Sequence, residues 1–167
     1  VRYRFREQPR KLRLGRGHAQ RVRRGSPMIA MASPKLAEYR AVLLEHLPHL
    51  RNLSTEELDM HIRWHISLGC FSSVRHEGKI VAVGLYRRVR SVEEAEKDRW
   101  AHRRDGKVVW IDQLAAPGCV LGHMLWHFLS REALEEPFTH FAGHRMTRNQ
   151  RVTCLPASTV ERILLPR

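Results

Sequence analysis

One stretch of this chain sets a carboxylate where backbone groups must also come free. Val108-Val109-Trp110-Ile111-Asp112-Gln113-Leu114-Ala115 is β-prone, Ala116-Pro117-Gly118 breaks it, and an apolar helix follows from about Cys119 to Ser130. Pro117 cannot donate to a ladder, and a helix start leaves its first N–H groups unpaired. The corner therefore offers strand-end N–H and C=O groups to an extended ligand and helix amides to an anion. Such a corner suits the arm of a thioester, with Asp112 near the reacting carbon. Alternation of Val108, Trp110 and Asp112 against Val109 and Ile111 puts the carboxylate on the Trp110 face. Two roles are open to it there: a catalytic group, or a structural carboxylate bonded to a neighbouring backbone N–H.

Histidine is the other residue type whose spacing invites chemistry. The chain has 11, and three pairs stand at i, i+4: His61/His65, His123/His127 and His140/His144. A zinc site needs three or four convergent ligands. No Glu sits inside a pair as in HExxH and no CxxC occurs, so no metal is expected and the pairs read as half-buried or surface histidines. Cys70, Cys119 and Cys154 are an odd set without metal-ligand spacing, which points to a reducing, cytoplasmic setting. Trp64, Trp100, Trp110 and Trp126 fall on expected helices or strands, where core packing is the usual role, and no basic-aromatic interleaving suggests single-strand nucleic-acid binding.

The elements that must position these residues are legible in order. Ser33-Pro34 opens a helix with Leu36, Tyr39, Leu43 and Leu47 at helical spacing, and Pro48 should end it. Ser54-Thr55-Glu56-Glu57 has the pattern of a capping box for a second helix, with Leu58, Ile62 and Ile66 on one face and Gly69 as its stop. Residues 70–76 and 79–87 read as a hairpin around Glu77-Gly78. Residues 91–106 read as a charged surface excursion with a short helix capped by Ser91 and Glu94. Lys107–Ala115 is a strand, and the helix after it buries Val120, Leu121, Met124, Leu125 and Phe128. Phe138–His144 and Arg151–Leu155 form a last strand pair, and Pro156-Ala157-Ser158-Thr159 starts a short helix to Leu164. The sum is an α+β domain around one mixed sheet.

That order resembles the GNAT (Gcn5-related N-acyltransferase) fold. There the fourth strand splays from its neighbour, its free backbone pairs with the pantetheine of an acyl thioester, and the next loop holds the pyrophosphate through an Arg/Gln-x-x-Gly-x-Gly/Ala pattern. Leu114–Gly122 stands at that place with glycines four apart, Gly118 and Gly122, and without the basic residue. Trp110–Gly118 is locally most similar to the aromatic-Ile-Asp-aromatic-Ile-Ala-Pro-x-Gly strand end of the RTX toxin-activating lysine acyltransferases. These are divergent bacterial relatives that take the acyl group from an acyl carrier protein. Pro48-His49-Leu50-Arg51-Asn52 is similar to their Pro-x-His-Arg-Asn run, with Leu50 inserted between His and Arg.

The resemblance covers about residues 46–155 in order. It implies a GNAT-like mixed sheet with helices on both faces and transfer of an acyl group from an acyl carrier protein or acyl-CoA to an amine, a protein lysine among the candidates. It further implies His49 as the base that takes the amine's proton and Asp112 as its partner. Leu114 and Ala116 would present backbone groups to pantetheine, and Gly118 and Gly122 would line the phosphate end. Arg145, Arg148 and Arg151 around Asn149 read either as a solvated loop or as a basic turn for the phosphate or an acidic carrier protein.

Charge divides the chain. The 167 residues carry a formal +13; residues 1–27 hold ten Lys+Arg against Glu7 alone, which leaves +4 on residues 28–167. Residues 1–30 read as a disordered basic tail and residues 31–167 as the domain. The tail is an arm that meets nucleic acid electrostatically, an organelle transit segment, or an upstream extension ahead of a true start at Met28 or Met31; the last is favoured. No apolar run reaches the roughly 20 residues of a membrane span. Two other functions stay open: a non-catalytic nucleic-acid or protein-binding domain with a basic arm, and a GNAT-shaped scaffold with a decayed site.

Overall fold

The computed structural model describes residues 34–135, 137–144 and 151–159. The tail, the Arg145–Asn149 turn and the end of the expected C-terminal helix lie outside them, although a helical turn begins at Ala157. All described residues belong to the unit Ala32–Arg167.

The chain runs α1 (Pro34–His46), a 3-10 turn (Pro48–Asn52), α2 (Thr55–Ser67), β1 (Phe71–His76), β2 (Lys79–Val89), α3 (Val92–Lys97), β3 (Val108–Ala115), α4 (Gly118–Glu135), β4 (His140–His144) and β5 (Val152–Pro156). Local chemistry accounts for most boundaries. Pro48 ends α1 as expected and opens the short 3-10 turn. Ser54 accepts from the Glu57 N–H while the Glu57 carboxylate accepts from the Ser54 N–H, so the capping box at α2 is complete. Ser91 caps α3 through the Glu94 N–H. The hairpin turns through Glu77 and Gly78, both at positive φ, the two-residue geometry whose twist matches the flanking strands. The helix after β3 reaches Glu135, further than the apolar run to Ser130 indicated.

The sheet has five strands in the order β1-β2-β3-β4-β5. All neighbours are antiparallel except β3 and β4, which α4 joins as a crossover. Helices cover both faces. Leu36, Val42 and Leu43 of α1 and Leu58 and Ile62 of α2 pack on Val83, Leu85 and Ala115. Met124 and Phe128 of α4 pack on Ala82, Tyr86, Val109 and Phe141 on the other side. Central strand β2 is consequently buried without interruption from Ala82 to Val89. Among the described residues no helix is long and apolar enough to cross a membrane.

Two departures from the expected packing bear on function. On α2 the buried arc is Leu58, Ile62 and His65, whereas Ile66 is 44% exposed. At 100° per residue, position 65 lies within about 20° of Leu58 and position 66 about 80° away, so the imidazole falls inside the buried arc. Among the tryptophans only Trp110 is core; Trp64 and Trp100 are half-buried and Trp126 is exposed.

Candidate active site

Asp112 is the extra residue of a β-bulge. Tyr86 of β2 faces Ile111 and the next residue down, Leu85, faces Gln113, so Asp112 has no partner in the β2–β3 register. A bulge bends its strand. The carboxylate stays on the Trp110 face, as alternation along the strand indicates, and lies there between an imidazole and a guanidinium. Asp112 Oδ2 lies 2.9 Å from His65 Nε2 and accepts from Arg87 Nε at 2.9 Å, while Oδ1 accepts from the same Nε at 3.2 Å. The structural alternative for Asp112 named a backbone N–H as partner; its partners are instead two long-range side chains.

His65 is wholly buried and Asp112 keeps 11% of its side-chain surface. The other ring nitrogen, Nδ1, lies 2.9 Å from the His61 carbonyl oxygen. A carbonyl only accepts, so Nδ1 must donate. Both ring nitrogens of His65 are thus turned toward oxygen atoms, one of the backbone and one of the Asp112 carboxylate.

The backbone that carries His65 is fixed by the end of α2. Gly69, at φ +70, donates to the Ile66 carbonyl at 3.0 Å and Cys70 donates to the His65 carbonyl at 2.9 Å, the paired bonds of a Schellman motif. Arg87 is 1% exposed, and its guanidinium also donates to the carbonyls of Asp98 at 2.6 Å, Ala101 at 3.0 Å and Ala95 at 2.9 Å.

Around this core lie further imidazoles and two indoles. His61 packs edge-on to His65 at 4.5 Å and faces Trp100 at 5.9 Å; Trp64 meets His65 at 4.7 Å and Trp100 at 5.0 Å. Burial, and next the neighbouring His65, push His61 down to about 4, so its imidazole is neutral at neutral pH. His102 is likewise lowered, by burial and then by Arg88. Its Nδ1 stands 3.9 Å from the buried Cys70 thiol. Among the described residues no group of His, Cys, Asp or Glu has an arrangement suited to a metal ion.

The parallel register of β3 with β4 runs from Val108↔His140 to Ile111↔Gly143, whereas β3 stays on β2 as far as Val83↔Ala115. Among the described residues, Gln113–Ala115 thus pairs with β2 alone. Leu114 stands in that stretch opposite Gly84, and Ala116 follows it. Gly118 is the first residue of α4 and Gly122 lies four positions on, so both belong to the helix start rather than to a loop. His49 sits half-buried in the 3-10 turn and is not among the partners of Asp112.

His65 and Arg87 are the partners of Asp112 that the linear reading passed over. A signal existed for each: His65 lies on the apolar arc of α2, and Arg87 sits in a strand otherwise apolar enough to be buried, where a guanidinium requires an acidic partner.

No family model and no curated protein sequence matches the chain. Among solved structures it is similar to the loading GNAT-like domain of CurA from Lyngbya majuscula, at 15% identity over 69% of this chain and 62% of that one, with a TM-score of 0.55. It is also similar to GphF, a GNAT-like decarboxylase in complex with isobutyryl-CoA, at 17% identity over 66% and 60% of the two chains, with a TM-score of 0.54. The described domain has the GNAT-like fold. The chain spans about three fifths of the length of these two structures.

Proposed function

We propose that this domain holds an acyl thioester along the open edge of β3 and transfers its acyl group to an amine. The observation that carries the reading is the stretch Gln113–Ala115, which among the described residues pairs with β2 alone, next to the carboxylate of the bulged residue Asp112. An extended pantetheine has amide groups spaced to pair with such an edge, which makes Leu114 and Ala116 the backbone contacts. The phosphate end then falls at the start of α4 by Gly118 and Gly122, where amides rather than a basic side chain meet it. That fits a pantetheine arm better than a diphosphate grip. The complex of GphF with isobutyryl-CoA supports a coenzyme A donor. The strand-end likeness to the toxin-activating acyltransferases favours an acyl carrier protein and a lysine acceptor.

The thioester supplies an activated acyl carbon; this chain must orient the amine and take its proton. Asp112 is the carboxylate at the reaction centre. His49 is proposed as the base from the Pro48–Asn52 resemblance, and His65 holds the Asp112 carboxylate in place through their 2.9 Å contact. His61, held at about 4, is too weakly basic at neutral pH to serve that role.

Incubating the full chain with acyl-CoA and acyl carrier protein thioesters, with and without a lysine peptide, tests the reading by mass spectrometry. Release of free thiol and acylated peptide is expected, lost in Asp112→Ala and in His49→Ala while both variants keep the wild-type circular dichroism spectrum. Turnover at the wild-type rate in either variant removes that residue's role. Absence of binding and turnover with every thioester removes the function.

A further inference from the structure

We propose that Arg87 is a positioning residue that locks the Asp112 carboxylate and the Trp100 turn into one unit, so that a change at the carboxylate is felt at Trp100. The argument follows the guanidinium's donors. Nε is spent on Asp112, Nη1 on the carbonyls of Asp98 and Ala101, and Nη2 on the carbonyl of Ala95. The three carbonyls belong to the end of α3 and the turn after it. That turn also holds itself: Trp100 N–H donates to Asp98 Oδ1 at 2.9 Å and Ala101 N–H to the Asp98 carbonyl at 3.1 Å. Trp100 then packs on His61 and Trp64, Trp64 on His65, and His65 returns to Asp112.

The contacts form a closed circuit through β3, β2, the 98–101 turn and α2. Arg87 is 1% exposed, and a planar fork fitted to four acceptors cannot be re-aimed at one without disturbing the others. Losing the negative charge of Asp112 leaves Arg87 with carbonyl partners alone and frees it to shift toward them. The turn must follow, because its carbonyls are the acceptors. Coupling of this kind is reciprocal: displacing Trp100 must be felt at His65 and Asp112.

The clamp itself does not depend on the acyl-transfer reading. Its functional consequence does rest on that reading: a thioester seated beside Asp112 would be reported at Trp100.

Amide hydrogen exchange on the full chain tests the clamp. In Asp112→Asn and in Arg87→Lys the amides of Trp100 and Ala101 should exchange about tenfold faster than in the wild type, with the β1–β2 hairpin amides unchanged. Trp100→Phe perturbs the circuit from its half-buried end and keeps an aromatic ring there, and should shift the His65 ring resonances in an NMR spectrum. Unchanged exchange at Trp100 and Ala101 in the folded variants, or unmoved His65 resonances in Trp100→Phe, overturns the proposal. Isobutyryl-CoA added to the wild type separates the two ideas. Coupling present with no response of the Trp100 indole resonance supports the clamp and counts against the thioester site.

Discussion

Replacing His61 by Gln should flatten the acid limb of the stability curve. The folded protein holds His61 at about 4 against an ordinary 6.5, first through burial and then through the neighbouring His65, with Asp112 opposing. Between those values the unfolded chain binds a proton that the folded chain refuses. The stabilisation is therefore complete above pH 6.5 and falls away as the pH drops toward 4. The whole window amounts to about 3 kcal/mol, and the step from pH 7 to pH 5 to about 2 kcal/mol, or about 5 °C in Tm for a domain of this size. Gln keeps the backbone carbonyl that accepts from His65 Nδ1, so the Asp112 site should stay assembled. The assay is urea unfolding of wild type and His61→Gln at pH 7, 6 and 5. Carboxylates common to both chains cancel in the difference. His102, lowered in the same direction, leaves a residual slope in the variant. Equal losses in the two proteins between pH 7 and pH 5 would refute the assignment of a buried, neutral His61.

Gly84 of β2 faces α4 so closely that an added Cβ would lie 1.9 Å from Phe128 Cζ. Gly84→Ala should therefore cost about 1–3 kcal/mol in urea unfolding. Phe128→Leu in the same chain should recover part of the loss, and an undiminished Gly84→Ala variant would contradict that packing. Removing residues 1–27 should leave thioester turnover unchanged, because the proposed site is built from residues 49–122. A nucleic-acid-binding chain would instead lose most of its affinity, together with its salt dependence, on losing this +9 segment.

Much of the fold was legible because its signals are local. The capping box at Ser54, the stop at Gly69, the Glu77-Gly78 turn and the break at Ala116-Pro117-Gly118 each act within a few residues, and each lies where the residue types require. The carboxylate Asp112 and the end of its strand were legible for the same reason: Pro117 cannot donate to a ladder, so β3 stops at Ala115. Its companions were not. His65 stands 47 residues from Asp112 and Arg87 stands 25 away. Whether they meet depends on the register of β2 against β3 and on the one-residue bulge that shifts it, because a slip of one position turns a side chain to the opposite face. Local pattern therefore determined the order of elements and the acidic strand end, and tertiary register decided which imidazole and which guanidinium that carboxylate would find. Burial then set the charge of the histidines, since desolvation is a property of the packed core and of no single residue.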